Sequence, residues 1–241
     1  MAGPKIRLFT EQDLAEGRAV DLSEHAHYLS AVMRQAAGAE VLLFNGRDGE
    51  WRAELTDAAK RRAAAQCLDQ TLPQSLPPDL DLIFAPIKKA RTDFIVEKAT
   101  ELGVRRIQPV FTRFTNSERV RLDKLRAHCI EAAEQCGGLH VPELFEPEPL
   151  DRLLDGWGGD RRLMFCDERM DGLAADAALR AAGGGPWAVL IGPEGGFTED
   201  ESSRLSALPF VTKVGLGPRI LRADTAAVAA ITLWQATLGD W

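Results

Sequence analysis

The 241-residue chain has no apolar stretch approaching the roughly 20 residues needed to span a bilayer. Its opening, MAGPKIRLFT, lacks the apolar core of a secretion signal. Both absences lead to the expectation of a cytoplasmic protein with no membrane partner. Cysteine is scarce: Cys67, Cys129, Cys136 and Cys166 are scattered, with no C-x-x-C pair. That argues against disulfides and against zinc. His25 and His27 lie two apart, a spacing that a helix turns in different directions, so they read as surface residues and no metal is expected. The chain also lacks the G-K-[ST] ending of a nucleotide phosphate loop and the G-x-G-x-x-G of a dinucleotide fold.

Positive charge is in deficit, with a formal net charge of −7, but the deficit is uneven. Residues 80–126 hold 11 Lys/Arg against 6 Asp/Glu, whereas residues 127–241 hold 9 against 18. A basic middle in an acidic chain suits a protein that meets a polyanion on one face only. Clustered, solvated helix faces are the alternative on charge alone.

Three prolines in TLPQSLPPD (71–79) mark a semi-rigid linker between unlike halves. Before it, KIRLF (5–9) reads as a strand and residues 23–35 as a helix capped by Ser23 and stopped at Gly38. EVLLFNGRDGEWRAEL gives a hairpin turning at Asn45 to Gly49. A small barrel with one helix is expected. After the linker, strands at 79–87, 104–112, 161–166, 187–192 and 210–217 alternate with helices at 90–103, 121–136, 171–181, 198–206 and 222–238. That alternation predicts an α/β fold with a parallel sheet covered on both faces. Residues 142–160 follow neither period and read mostly as loop.

Two glycine-containing strand-to-helix loops carry the candidate site. In IGPEGGFTEDE (191–201), Thr198 and Glu201 form a capping box, which puts three carboxylates into the first helical turn. A phosphate there would face those charges, so the ligand is expected to be one without phosphate. Gly192, Gly195 and Gly196 would let backbone approach something flat, such as an adenine edge; a tight turn with no ligand is the competing structural reading. In VGLGPRILRADTAAVAAITLW (214–234), Gly215 and Gly217 precede Pro218, and Arg219 and Arg222 bracket Ile220-Leu221. The helix that follows is apolar on nearly every side, so a core or a second subunit must cover it.

The two motifs together closely resemble the paired signature of the small-subunit ribosomal RNA methyltransferase E family, in the SPOUT class. KKARTDFIVEKATELGV (88–104), IEAAEQCG (130–137), RLF (7–9), HYLSAVMRQAAG (27–38) and FNGRDGEW (44–51) extend the resemblance over nearly the whole chain. It implies a PUA-like barrel at 1–72 and a SPOUT α/β methyltransferase domain at 79–241 with a trefoil knot. It further implies a homodimer, S-adenosylmethionine (SAM) as cofactor, and 16S rRNA or the small ribosomal subunit as partner. The implied product is 3-methyluridine at a decoding-region uridine. SAM would be cradled by Phe165, Ile191, Gly192, Pro193, Gly195 and Gly196, and by Leu216, Gly217, Ile220 and Leu221. The third loop would come from Phe165-Cys166-Asp167. Where the family often has Glu in LRAETA this chain has Asp224, and where it often has Arg after EQCG this chain has Gly138.

Methyl transfer to uridine N3 needs alignment, loss of a weakly acidic proton and stabilisation of the anion. Glu194 or Asp224 is the candidate base, and Arg222 or Arg219 the stabiliser. Each has a structural alternative: Asp224 as a helix cap, Arg219 in an intersubunit ion pair, Glu194 tied to its own loop. For RNA, the candidates are Arg7, Arg34 and Arg47 in the first domain and Lys88, Lys89, Arg91 and Arg113 in the second. Two other functions remain open from sequence: methylation of a different rRNA or tRNA nucleotide, and non-enzymatic RNA binding in ribosome assembly.

Overall fold

The computed structural model describes residues 6–116, 119–169 and 172–241. Lys5 and Asp171, included in the expected strand and helix, lie outside them. The chain divides into two compact units. One runs to Leu76 and takes in Ala133–Val141; the other comprises Pro77–Ala132 and Pro142–Trp241. The division falls inside the proline-rich linker, but the excursion of 133–141 into the first unit has no counterpart in the linear boundary at 79.

The first unit holds strands β1 (Arg7–Phe9), β2 (Ala19–Asp21), β3 (Glu40–Phe44), β4 (Glu50–Ala59) and β5 (Arg62–Leu72), in the sheet order β1-β3-β4-β5-β2. The expected hairpin is β3–β4. Its turn is held by the Asn45 side chain, which accepts from the backbone N–H groups of Arg47 and Asp48. Among the described residues no pairing of β1 with β2 closes the sheet into a barrel. Residues 23–32 are helical without a break but form no regular α-helix, since only Ala26 and His27 have α-helical geometry. A 3-10 turn at Ser23–His25 leads into a π-helical turn at Tyr28–Val32, where Met33 N–H reaches back to the Tyr28 carbonyl. Ser23 is not the cap; its N–H and hydroxyl both donate to Asp21 Oδ1. The wider turn still buries Leu29 with Leu8, Leu22, Leu43 and Leu55 in the core of this unit.

The second unit contains β6 (Leu80–Phe84), α1 (Lys89–Glu101), β7 (Arg106–Phe111), α2 (Leu122–Cys136, whose last turn lies with the first unit), β8 (Glu143–Leu144), β9 (Glu148–Pro149) and α3 (Leu150–Asp155). It continues through β10 (Arg162–Cys166), β11 (Leu173–Ala174), α4 (Ala175–Ala182), β12 (Trp187–Ile191), α5 (Glu199–Ala207), β13 (Val211–Gly215) and α6 (Ala223–Leu238). Every pairing in its sheet is parallel, in the order β11-β13-β10-β12-β6-β7-β8, with β9 beside β7. The central β12, WAVLI, is buried at all five positions, as a strand covered on both faces requires. The segment 142–160, expected as loop, supplies β8, β9 and α3. Its short strands carry too few residues to show a period.

Register brings the C-terminal ends of β10, β12 and β13 level, with Cys166 opposite both Ile191 and Val214. The loops that leave these three neighbouring strands therefore open on one crevice, the usual ligand position in an open parallel sheet. α6 packs against α1, α4 and β12 within its own unit. This buries Ala223, Ala227, Ala230, Ile231 and Trp234. Most of its apolar circumference is thus covered without a second subunit, leaving Val228, Ala229 and Leu233 half-buried.

Candidate cofactor and catalytic site

The crevice is a cavity of about 640 Å³, within the range of small-molecule sites. Three loops line it: Cys166 to Glu168 after β10, Ile191 to Gly196 after β12, and Leu216 to Arg222 before α6. Ala223 and Ala226 of α6, and Lys88 and Arg91 at the start of α1, complete the wall. Of the ten residues the resemblance assigned to SAM, nine line this cavity. Phe165 does not: its ring is buried in the core, edge-on to Phe197 at 5.0 Å between centroids. A strand alternates its faces, so Phe165 points into the packing layer while Cys166, one residue on, reaches the cavity.

The first glycine loop is shaped by its own surroundings. A Cβ on Gly196, at φ +71°, would stand 2.0 Å from Glu168 Oε1, and one on Gly192 would stand 2.5 Å from the Phe197 ring. The space that glycine leaves at these two positions is filled by protein. The Glu168 carboxylate uses it to accept the Phe197 N–H at 3.1 Å. The capping box forms as the sequence predicts, with Thr198 Oγ1 accepting from Glu201 N–H and Glu201 accepting from Thr198 N–H.

The third loop is anchored by Asp167, which is buried. Its carboxylate meets Lys213 Nζ at 2.9 Å and accepts from the Ser202 hydroxyl at 2.8 Å and the Arg169 N–H at 3.2 Å. Burial alone would raise its pKa, but the Lys213 and Ser202 hydrogen bonds outweigh it and hold the group below the ordinary carboxylate value. Burial pushes the neighbouring Cys166 thiol up to about 12, which leaves it protonated and without nucleophilic character near neutral pH.

The charged candidates sort into two sets. Arg91, expected at the RNA surface, instead joins both carboxylate candidates. Its Nη1 donates to Glu194 Oε1 at 2.7 Å, and its Nε lies 3.7 Å from Asp224 Oδ2. One guanidinium on α1 thus ties the first glycine loop to the opening turn of α6. Glu194 lines the cavity and Asp224 does not; the second Asp224 oxygen accepts the Thr225 N–H at 2.9 Å. Arg222, the N-cap residue of α6, makes no side-chain capping bond, nor does Asp224 occupy that position. Arg219 and Arg222 are exposed on the cavity lining, and neither has an ion pair among the described residues.

The RNA candidates separate further. Arg7 is corrected from surface contact to buried strut. Its Nε meets Glu50 at 2.6 Å, its other nitrogens donate to the carbonyls of Ala133 and Gly138, and its guanidinium lies 3.8 Å from the Phe44 ring centroid. Gly138, where the family often has Arg, serves this strut through its backbone. Arg34 is exposed at φ 53°, and Arg47 is exposed and paired with Asp13. Lys88 and Lys89 are exposed, Lys89 pairing with Asp93. The Arg113 side chain is exposed while its N–H donates to Glu201. Sequence alone gave no sign of Glu168, Ala223, Ala226 or the Arg91 tie, because their relevance arises only when distant loops meet.

Residues 74–235 match the family described as RNA methyltransferase domain, and residues 23–66 the RNA methyltransferase PUA domain. Fold, cavity and these matches define an RNA methyltransferase with a PUA domain. The ribosomal RNA small subunit methyltransferase E of Rickettsia conorii is 30% identical over 230 residues, 93% of each chain. That of Synechocystis is 33% identical over 217 residues, 88% of this chain and 71% of the relative. The chain belongs to the ribosomal RNA small subunit methyltransferase E family. Among solved structures, the methyltransferase E of Neisseria gonorrhoeae bound to SAM is 31% identical, with a TM-score of 0.86 over 98% of this chain and 99% of that one. A putative methyltransferase of Legionella pneumophila in complex with SAM is 27% identical, with a TM-score of 0.87 and the same coverage.

Proposed function

We propose that the chain transfers a methyl group from SAM to N3 of one decoding-region uridine in 16S rRNA, acting in the cytoplasm as a homodimer with a trefoil-knotted second domain and an RNA-binding PUA-like first domain. The observation that carries this reading is the convergence of three loops on one cavity whose exposed cations, Arg219 and Arg222, have no ion pair among the described residues. The cavity suits SAM: Ile191, Leu216, Ile220 and Leu221 offer apolar surface, and loop backbone offers hydrogen bonds. The acidic first turn of α5 suits a ligand without phosphate.

SAM supplies an electrophilic methyl on a sulfonium, so the protein needs to align the acceptor and manage one proton. Arg222 faces the developing uridinate charge and stabilises it, with Arg219 beside it. Glu194, on the cavity wall, takes the N3 proton. Asp224 lies off the wall and acts through Arg91, which it helps to orient. Exposed Ile220 and the half-buried face of α6 support the homodimer.

Calorimetry with SAM, followed by transfer of labelled methyl from SAM to unmodified small subunits or to tRNA, tests the reading. SAM binding with label entering 16S rRNA is expected, and Arg222→Ala should lower kcat far more than it weakens SAM binding. Label in tRNA alone would move the target. Absence of SAM binding would overturn the enzymatic reading.

A further inference from the structure

A second concavity of about 150 Å³ lies on the other side of the α1 start. Lys88 and Arg91 line the cofactor cavity, whereas Lys89, Thr92 and Asp93 line this one. Its opposite wall is Arg119, Arg121 and Lys124, on the segment entering α2 and its first turns. Four cations thus surround a space of about five water volumes. Asp93, shared between Lys89 at 2.8 Å and His128 at 3.7 Å, is the one lining carboxylate among the described residues. Asp123 forks Arg121 through two bonds of 2.9 and 2.6 Å and fixes its orientation, and Arg121 in turn holds the Asp123 pKa down to about 2. Arg119 and Lys124 have no ion pair among the described residues. The floor is closed: Thr92 is buried with its hydroxyl bonded to the Ile87 backbone, and Leu125 is buried.

We propose that this basic pocket seats a backbone phosphate of the substrate RNA, a nucleotide or so from the uridine presented to the cofactor cavity. The inference rests on the chain acting on RNA, as proposed above. Size and charge carry it. The space is large enough for a phosphate group, and the excess of cations on its wall matches an anion. The placement carries it further, because residues alternating along one helical turn face the two cavities. A phosphate held there fixes the register of the strand and contributes no base specificity.

The test uses the full chain, unmodified 16S rRNA in filter binding from 50 to 200 mM salt, and methyl transfer in parallel. Arg119→Ala/Lys124→Ala should lower the slope of log affinity against log salt by about 0.7 to 0.9, the value of one phosphate contact. RNA affinity at low salt should fall roughly tenfold or more, with SAM affinity unchanged. Lys98→Ala/Arg204→Ala removes two charges elsewhere in the same unit and should leave the slope near that of the parent chain. Asp93→Asn should tighten RNA binding, a gain that misfolding does not mimic. The proposal is overturned if the pocket variant and the charge-matched control behave alike. If the parent chain methylates no 16S rRNA yet the pocket variant alone loses RNA affinity, the function above fails and the phosphate site stands.

Discussion

Replacing Arg91 with alanine should loosen the cofactor cavity without unfolding the domain. The Arg91 side chain is 30% exposed and that of Glu194 41%, so their contact behaves as a surface pair of roughly 0.5 to 1 kcal/mol. The Asp224 contact, at 3.7 Å, adds little. A total near 1 kcal/mol lowers Tm by about 2 to 4 °C for a chain of this size. The two segments held together by Arg91 both border the cofactor cavity. The same free energy should therefore appear in SAM affinity, as a roughly fivefold weaker Kd. Arg91→Lys keeps the charge but loses the fork and should recover only part of the affinity. Calorimetry with SAM across a cycle of Arg91→Ala, Glu194→Gln and the double variant should return a coupling of about 0.5 kcal/mol or more. It should shrink in 1 M salt, where the pair is screened. A SAM Kd within twofold of the parent for Arg91→Ala, with no coupling to Glu194, would refute the reasoning and return Arg91 to the RNA surface.

Asp167→Asn should cost about 1.5 to 3 kcal/mol at pH 7, because it removes the buried carboxylate that meets Lys213 and accepts from Ser202 and Arg169. Because the folded pKa of Asp167 is depressed, its contribution is present above the ordinary value of 3.8 and is lost as pH falls through the lower, folded one. Urea melts of parent and variant should therefore converge only in acid, and a difference that stays constant down to pH 2 would contradict this. Thr198→Ala removes the α5 cap and should lower stability by about 1 kcal/mol, read as a Tm shift. With iodoacetamide at pH 8, mass spectrometry should find exposed Cys136 alkylated first. Cys129 and Cys166, whose thiols burial pushes to about 11 and about 12, should remain unmodified in the folded chain.

The alternation of strands and helices after the linker was legible because long periodic segments declare themselves in sequence. α1, β12 and α6 each start and stop within a residue or two of the expected limits. β5 was not: RAAAQCL is rich in alanine, and it becomes a strand because β4 pairs with it and buries Ala63, Ala65 and Cys67 on alternate positions. The turn at Tyr28–Val32 escaped for a similar reason, since one extra residue per turn leaves the apolar spacing almost unchanged. In the site, the two glycine loops and the capping box could be read locally. Arg91 and Glu194 are separated by 103 positions, and nothing in either segment names the other as its partner. Arg7 looked like a surface arginine because its partners Glu50, Ala133 and Gly138 are brought to it only by the tertiary fold.

The most direct measurement is nucleoside mass spectrometry on small ribosomal subunits that lack the modification, after incubation with the protein and SAM. One 3-methyluridine per 16S rRNA, mapped to the decoding region and absent with Arg222→Ala, is the expected result. A methyl group on another base or on a ribose, with 3-methyluridine absent, would contradict the assignment of Arg222 and Glu194 to uridine N3 chemistry.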